Sequence, residues 1–327
     1  MSSTHKDIKN VNHTYDMGVG ENEMETIELY CKLSEKIPSN QLLLRESMKK
    51  HTSFHIGGLA DILMLPSKSE EIQYAIGLCK QYHYPYMVMG NGSNLLVRDK
   101  GIRGLVIKIA DRFKNIKVEG TMICAQAGVV LSSLSKVALK EKLSGLEFAN
   151  GIPGTLGGAV TMNAGAYNGE TKDVIKKVTI LDENEIIREL NLIDLHFGYR
   201  SSIIQQQQYT VLQAEIELKK DDYHNIQATM DDLTHRRKEK QPLQYPSAGS
   251  TFKRAEGYYT GKLIQDAGLK GMRVGDAQVS ELHCGFIINL GNASACDVIT
   301  LIDKIKEKVK MDSGVDLHPE VKIVGDE

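Results

Sequence analysis

Segments with helical signals alternate with short apolar runs along most of this chain. Apolar spacing of three or four residues, cap residues and terminating prolines predict five helices. Ser294 starts the last helix, with Asp297 as a capping partner and Gly314 at its end. Ser67 and Glu70 form a capping-box pattern before the second helix. The predicted helices are 23–36, the segment from Ser67 to Tyr82, about 130–142, 222–240 and 294–311.

The apolar runs between these helices are short and read as strands. A strand at 61–66, the second helix and a strand starting near Met87 follow one another, which predicts a βαβ unit. A further strand is predicted at 104–109, and later ones at 122–127, 176–182 and 209–218. The pattern therefore predicts an α+β protein with at least two lobes.

Composition narrows the class of protein. A chain of 327 residues is long enough for two or three domains with real cores. Its net charge of -2 and its lack of Trp argue against nucleic acid or an anionic membrane surface as a partner. The five cysteines are scattered, and no secretory or membrane-spanning segment stands out, so we expect a cytoplasmic protein. Residues 1 to about 22 are polar and are expected to be disordered.

Two glycine-rich segments carry the strongest chemical signal. Residues 151–170 contain six glycines, and Gly90-Asn-Gly-Ser-Asn94 follows an apolar run. Glycine lets backbone N–H groups approach a phosphate closely, so the pair suggests a long diphosphate ligand held between two lobes. Neither segment ends in the Gly-Lys-Ser/Thr of a nucleotide-triphosphate loop, and neither matches the Gly-x-Gly-x-x-Gly dinucleotide fingerprint. A plain glycine-rich connector between strands is the alternative for residues 151–170.

Three polar residues in glycine-rich or apolar surroundings are candidates for chemistry. Ser250 could donate a proton to a substrate or satisfy its own turn. Arg200 could clamp a carboxylate or lie on the surface, and Glu320 could be catalytic or a solvated strand end. His51 and His55 lack the accompanying carboxylates or cysteines of a metal site, so no metal is expected.

Taken together, the motifs resemble the bacterial UDP-N-acetylenolpyruvoylglucosamine reductase family. The resemblance extends from about residue 42 to 325. Its pieces, in chain order, are Thr52-Ser-Phe-His-Ile-Gly-Gly-Leu-Ala-Asp61, Gly90-Asn-Gly-Ser-Asn94, Gly145-Leu-Glu-Phe-Ala149, residues 151–169, Tyr199-Arg-Ser-Ser202, Ser247-Ala-Gly-Ser-Thr-Phe252, residues 261–271, Ala277-Gln-Val-Ser280 and Pro319-Glu-Val321.

The resemblance implies an α+β fold with four parts. A disordered leader and short helix (1–40) would precede an FAD-binding subdomain at 41–105, which a C-terminal strand (315–327) would join. A second FAD-binding subdomain would span 106–220, and a UDP-sugar-binding domain would span 221–314. The two FAD-binding subdomains would form the fold of the vanillyl-alcohol-oxidase type.

The resemblance also implies the reaction. Non-covalent FAD, reduced by NADPH, would serve to reduce UDP-N-acetylglucosamine enolpyruvate to UDP-N-acetylmuramate. Arg200 and Glu320 would stabilise charge on the substrate, and Ser250 would donate the proton. No obligate protein partner is evident. The implied cofactor-binding residues are Gly90, Asn91, Gly92, Ser93, Asn94, Pro153, Gly154, Thr155, Gly157, Gly158, Asn163 and Gly165.

The substrate-binding residues that the resemblance implies are Tyr199, Lys240, Arg254 and His283. Some family members have asparagine where this chain has Arg254, which weakens the case for uracil recognition by that residue. The span between Tyr199 and Ser250 is short and lacks a Thr-Tyr-Gly loop. The chain therefore resembles the subclass without a capping tyrosine. Two alternatives are another FAD oxidoreductase of the same superfamily, acting on an alcohol or sugar, and a non-catalytic flavin- or UDP-sugar-binding module.

Overall fold

A computed structural model describes residues 21–327, and the predicted disordered leader lies outside the described residues. All five predicted helices are present, together with three shorter ones. The helices are α1 (Glu21–Ser34), α2 (Ser69–Gln81), α3 (Leu131–Lys140), α4 (Leu156–Met162), α5 (Ile203–Gln206), α6 (Tyr223–Lys240), α7 (Thr260–Asp266) and α8 (Ala295–Ser313).

The strands of residues 21–327 are short. They are β1 (Leu42–Ser47), β2 (Leu59–Met64), β3 (Tyr86–Met89), β4 (Leu95–Val97), β5 (Ile102–Lys108), β6 (Ile116–Glu119), β7 (Met122–Gln126), β8 (Leu143–Ser144), β9 (Gly165–Ala166), β10 (Gly169–Glu170), β11 (Ile175–Leu181), β12 (Ile187–Asn191), β13 (Thr210–Glu217), β14 (Lys219–Lys220), β15 (Arg273–Val274), β16 (Ala277–Val279), β17 (Ile287–Asn289) and β18 (Lys322–Val324).

The caps of two helices test the sequence signals directly. Helix α8 begins after Ser294, whose hydroxyl accepts a hydrogen bond from the Asp297 amide, and ends at Gly314 with φ 74°. Both predictions are confirmed. The capping box predicted for α2 is wrong by one residue, because Lys68 is the N-cap and the Glu71 carboxylate accepts from the Lys68 amide at 3.2 Å. Glu70 is exposed instead.

The first sheet contains the predicted βαβ unit. Its strand order is β1-β2-β5-β3, and both β2 and β3 run parallel to β5. The boundary predicted after residue 105 falls inside β5, whose full length belongs to this sheet. The first lobe therefore extends at least to Lys108.

The second sheet is entirely antiparallel, with the order β12-β11-β13-β7-β6. One hydrophobic core joins it to the first sheet, because Ile62 and Leu105 belong to the same buried cluster as Ile123 and Val178. Helix α6, which was predicted to open the third domain, packs Ile226 and Met230 on the α3 residue Leu139 of this second lobe. The two lobes thus share one hydrophobic core and pack directly against each other.

A third unit closes the molecule. Strands β15, β16 and β17 form a small sheet whose buried residues cluster with those of α8. The same cluster includes Phe54, Ile56 and Leu96 from the first lobe. Strand β18 then returns to pair in parallel with β4. The third unit is therefore anchored on the first lobe at two places.

Candidate active site

A cavity of about 910 Å³ lies where the three units meet. The first lobe contributes residues between Cys79 and Leu95, and the second contributes residues between Ile109 and Val211. The third unit adds Ala248 to Ser250, and Glu320 and Lys322 also line it. Ligand cavities usually measure about 300–1,000 Å³, so this one can hold a large ligand.

The first glycine loop, residues 90–94, lies entirely on the cavity wall. A Cβ at Gly90 would stand 2.3 Å from Oγ1 of Thr155, closer than real Cβ atoms approach. Gly92 has φ 62°, a left-handed conformation that favours glycine. The loop therefore needs glycine at both positions, and Gly90 brings it directly against the second glycine segment.

The second glycine segment surrounds the start of α4. Thr155 is its N-cap, and the threonine hydroxyl accepts a hydrogen bond from the Gly158 amide at 3.4 Å. A Cβ at Gly157 would stand 2.9 Å from Cβ of Ala127. Pro153, Gly154, Gly158 and Gly165 join these residues on the cavity wall. Both segments thus present backbone with little side chain to the cavity, which fits a diphosphate-containing cofactor.

Arg200 reaches the cavity through an unusual backbone conformation. Its φ is 52°, in the left-handed region that costs a non-glycine residue about 1–2 kcal/mol. Its Nε donates to Oε1 of Glu320 at 2.9 Å, and its Nη2 donates to the Gly165 carbonyl at 3.2 Å. The guanidinium also lies 5.1 Å from the ring centroid of Tyr199. These contacts hold one cationic group beside one carboxylate on the cavity wall.

Ser250 and Glu320 belong to neighbouring extended segments. The Glu320 amide donates to the Thr251 carbonyl at 2.8 Å, and Phe252 forms an isolated antiparallel bridge with Pro319. Ser250 is exposed, whereas Thr251 and Phe252 are buried. The three candidate chemical residues, which are far apart in the sequence, therefore line one cavity.

The four predicted substrate-binding residues lie off the cavity wall. The Tyr199 hydroxyl accepts a hydrogen bond from the Arg254 amide at 3.3 Å. Arg254 also stacks 5.6 Å from the ring centroid of Tyr259, which is 74% exposed and was not predicted. Lys240 is exposed at the end of α6. Arg254 thus contacts both Tyr199 and Tyr259 outside the cavity wall, and we call this group of three residues the rim.

His283 supports the segment that carries Ser250. Its Nδ1 accepts a hydrogen bond from the Gly285 amide at 3.1 Å, so the ring is neutral in this arrangement. Burial lowers the pKa of His283, which favours the same neutral form. The Gly285 carbonyl in turn accepts from the Thr251 amide at 2.8 Å. His283 therefore stabilises the position of Gly285, which in turn holds the backbone of Thr251 next to Ser250.

Asn163 was predicted to bind the cofactor, and its side chain is fully buried. Its Nδ2 donates to Oε2 of Glu170 at 2.9 Å and to the Gly198 carbonyl at 3.0 Å. Its Oδ1 accepts from the Lys172 amide at 3.0 Å. These bonds tie the second glycine segment to the loop that carries Arg200.

Lys322 is a cavity residue that sequence reasoning missed. Burial lowers the pKa of its ammonium group, and the nearby charge of Lys253 acts in the same direction. A lysine two positions after Glu320 in an apolar strand carries no distinctive signal. Only the pairing of β18 with β4 brings it to the cavity.

Comparisons with known proteins agree with this geometry. Residues 60–191 match the family model of an FAD binding domain. Residues 241–324 match the model of the UDP-N-acetylenolpyruvoylglucosamine reductase C-terminal domain. Within residues 21–327, no helix is both long and apolar enough to span a membrane.

Two curated relatives share about half of their residues with this chain. The UDP-N-acetylenolpyruvoylglucosamine reductase of Alkaliphilus oremlandii is 54% identical over 304 residues, which cover 93% of this chain and 100% of the relative. The enzyme of the same name from Caldanaerobacter subterraneus subsp. tengcongensis is 54% identical over 298 residues, covering 91% of this chain and 98% of the relative.

A solved structure matches as well. The crystal structure of UDP-N-acetylenolpyruvylglucosamine reductase (MurB) from Thermus caldophilus superposes with a TM-score of 0.74 at 35% identity, over 86% of this chain and 97% of that one. These matches confirm the predicted FAD-binding fold and FAD-dependent oxidoreductase class, and they set aside a non-catalytic binding module. The chain belongs to the UDP-N-acetylenolpyruvoylglucosamine reductase family.

Proposed function

We propose that this chain reduces the enolpyruvyl double bond of UDP-N-acetylenolpyruvoylglucosamine, with NADPH as reductant, and that Arg200, Glu320 and Ser250 carry the chemistry. The observation that supports these roles is the convergence of all three residues on the cavity framed by two glycine segments. A surface role for Arg200 would not require its left-handed backbone or its hydrogen bond to Glu320.

The cofactor would lie against backbone from both glycine segments. The residues suited to its diphosphate are Gly90 to Asn94 and Pro153 to Gly158, because little side chain separates their backbone from the cavity. When bound, FAD supplies the hydride acceptor for NADPH and the hydride donor for the enol ether. The remaining chemistry depends on the charges and protons that this chain places around the substrate.

Arg200 and Glu320 would bind the substrate carboxylate. Hydride addition at C3 of an enol ether leaves negative charge at C2, which spreads into the adjacent carboxylate. A fixed guanidinium beside that group stabilises the charge as it develops, and the Glu320 carboxyl would contribute in its protonated form, by donating a hydrogen bond to the anion. Because the Gly165 carbonyl and Glu320 already hold the guanidinium, little reorganisation is needed when the substrate arrives.

Ser250 would complete the reduction by protonating C2. The serine O–H bond breaks as a C–H bond forms at C2, and solvent can return the proton because Ser250 is exposed. A serine hydroxyl is a weak acid, so it can serve only where the acceptor is a strong base at close range. The developing carbanion beside Arg200 and Glu320 meets that condition.

The UDP portion would extend over the rim beyond Ser250. Arg254 and Lys240 are exposed cations suited to its phosphates, and the exposed Tyr259 ring is suited to stacking on uracil. Tyr199 and His283 would act by holding Arg254 and the Ser250 segment in place.

We assign the two lobes to FAD binding and the third unit, which carries Arg254 and Tyr259, to substrate binding. The hydrophobic core shared by the two sheets and the separate α8 cluster support this division. We also place the activity in the cytoplasm, in agreement with five free cysteine thiols.

An anaerobic visible spectrum of the purified protein tests this function. We expect flavin absorption that bleaches on adding NADPH and returns on adding UDP-N-acetylglucosamine enolpyruvate. Bleaching without return would refute the proposed substrate while leaving the flavin assignment in place. A protein that takes up no FAD, even when FAD is added, would refute the assignment of both glycine segments.

A further inference from the structure

Asn94 connects the first glycine loop to the segment that carries Glu320. Its side-chain Nδ2 donates to the Glu320 carbonyl at 3.1 Å, and its own carbonyl accepts from the Lys322 amide at 3.0 Å. The parallel pairing of β4 with β18 begins at the next residue, where Leu95 lies opposite Lys322. Asn94 thus contacts the chain at the Glu320 carbonyl and again at the Lys322 amide, both on the C-terminal side of Glu320.

The other side of Glu320 is also held. Its amide donates to the carbonyl of Thr251, the residue after Ser250, at 2.8 Å. Hydrogen bonds therefore run from the glycine loop through Glu320 to the Ser250 segment. Because the carboxyl group is attached to this backbone, any shift of the Glu320 peptide moves the carboxyl relative to Arg200.

The side chain of Asn94 has little capacity left to bind a phosphate. An amide nitrogen carries two hydrogens, and Nδ2 contacts two acceptors, the Glu320 carbonyl and the Met162 sulfur at 3.4 Å. The remaining side-chain atom, Oδ1, is an acceptor and repels a phosphate oxygen. The family resemblance counts Asn94 among the cofactor-binding residues, whereas these contacts direct its amide hydrogens to the protein.

We propose that Asn94 is a positioning residue for Glu320. Through its side chain, the conformation of the first glycine loop determines where the Glu320 carboxyl group lies. The inference rests on the proposed role of Glu320. It predicts that loss of the Asn94 side chain disturbs substrate reduction while leaving cofactor affinity and reduction by NADPH largely intact.

The test compares Asn94→Ala and Asn94→Ser, alone and combined with Glu320→Gln. The FAD dissociation constant is measured from the fluorescence of free FAD, and the two half-reactions are followed separately by anaerobic stopped flow. Since a displacement of about 1 Å can slow a reaction by about 100-fold, we expect flavin reoxidation by substrate to slow by about 10- to 100-fold. In the Glu320→Gln background the same substitution should have little further effect.

Asn91→Ala is the matched comparison from the same loop. Asn91 lines the cavity, so we expect its loss to weaken FAD binding and to act independently of Glu320→Gln. In Asn94→Ser the serine side chain is too short to reach the Glu320 carbonyl, but it keeps a polar group in the loop. This variant therefore replaces Asn94→Ala in the test if Asn94→Ala does not fold.

Each result decides between the roles. Weakened FAD binding with equal slowing of both half-reactions, or independent effects of Asn94 and Glu320 substitutions, would overturn the positioning role. Normal reoxidation in Glu320→Gln would instead refute the proposed function of Glu320 itself. Slow reoxidation in Glu320→Gln with normal reoxidation in both Asn94 variants would refute only the inference about Asn94.

Discussion

Replacing Arg200 with lysine separates the charge of this residue from its geometry. The guanidinium donates in two directions at once, to Glu320 at 2.9 Å and to the Gly165 carbonyl at 3.2 Å. Lysine keeps the charge but offers one ammonium group on a flexible stem. Loss of one positioned donor at a site of developing negative charge slows catalysis by about 100- to 1,000-fold. We therefore expect Arg200→Lys to slow flavin reoxidation by substrate by about 100-fold.

Anaerobic stopped flow measures this effect, because flavin absorbance reports each half-reaction separately. Reduction by NADPH should change little, since the proposed role of Arg200 concerns the enolpyruvyl carboxylate. Arg103→Lys provides a control, because Arg103 is a partly exposed arginine that pairs with Asp61 away from the cavity. Equal slowing of both half-reactions by Arg200→Lys would show that Arg200 maintains the cavity and does not act on the substrate. Normal reoxidation would refute the role entirely.

Three further substitutions test other parts of the site. Ser250→Ala should leave reduction by NADPH intact and slow reoxidation by about 100-fold or more, and equal losses in both half-reactions would contradict proton donation. Gly90→Ala places a Cβ 2.3 Å from Oγ1 of Thr155, so urea unfolding should show a loss of about 1–3 kcal/mol in the free energy of unfolding, together with weaker FAD binding. Unchanged stability would mean that the loop relaxes freely. Burial lowers the pKa of His283 from 6.5, so the unfolded chain takes up this proton at a higher pH than the folded protein. Stability from this group is complete above about pH 6.5 and is lost as pH falls through the lower folded pKa. His283→Asn keeps an acceptor for the Gly285 amide and should reduce the fall in Tm between pH 7 and pH 5. An unchanged fall would assign the acid sensitivity to other groups.

Structural features that depend on a few neighbouring residues were predicted well from the sequence. The cap of α8 depends on Ser294, Asp297 and Gly314, which act within their own helix, and all three have the predicted roles. The prediction for the α2 cap was wrong by one residue because Ser67 and Glu70 have the residue types of a capping box, whereas the N-cap is Lys68, which has no acceptor in its side chain. Burial of Glu71 at 9% exposure selects Lys68 and Glu71. Local pattern thus located the helices, while packing set the register.

Contacts between segments that are far apart in the chain could not be predicted from the sequence around either residue. The sequence indicated Arg200 and Glu320 as separate candidates, but their 2.9 Å ion pair depends on the return of β18 to β4. The same pairing brings Lys322 to the cavity and the Asn94 amide to Glu320. The family resemblance named the main site residues, and the structure supplies the contacts among them.

The return of β18 also affects the order of events during synthesis. Lys322 to Val324 pair with Leu95 to Val97, more than two hundred residues earlier in the chain. At about 5–20 residues per second, a ribosome needs roughly 10–45 s to translate the intervening segment. Until then Leu95 to Val97 lack their partner strand, and Asn94 lacks the Glu320 carbonyl. The growing chain therefore cannot present the finished cavity, with Glu320 and Lys322 on its wall, until this strand has been translated.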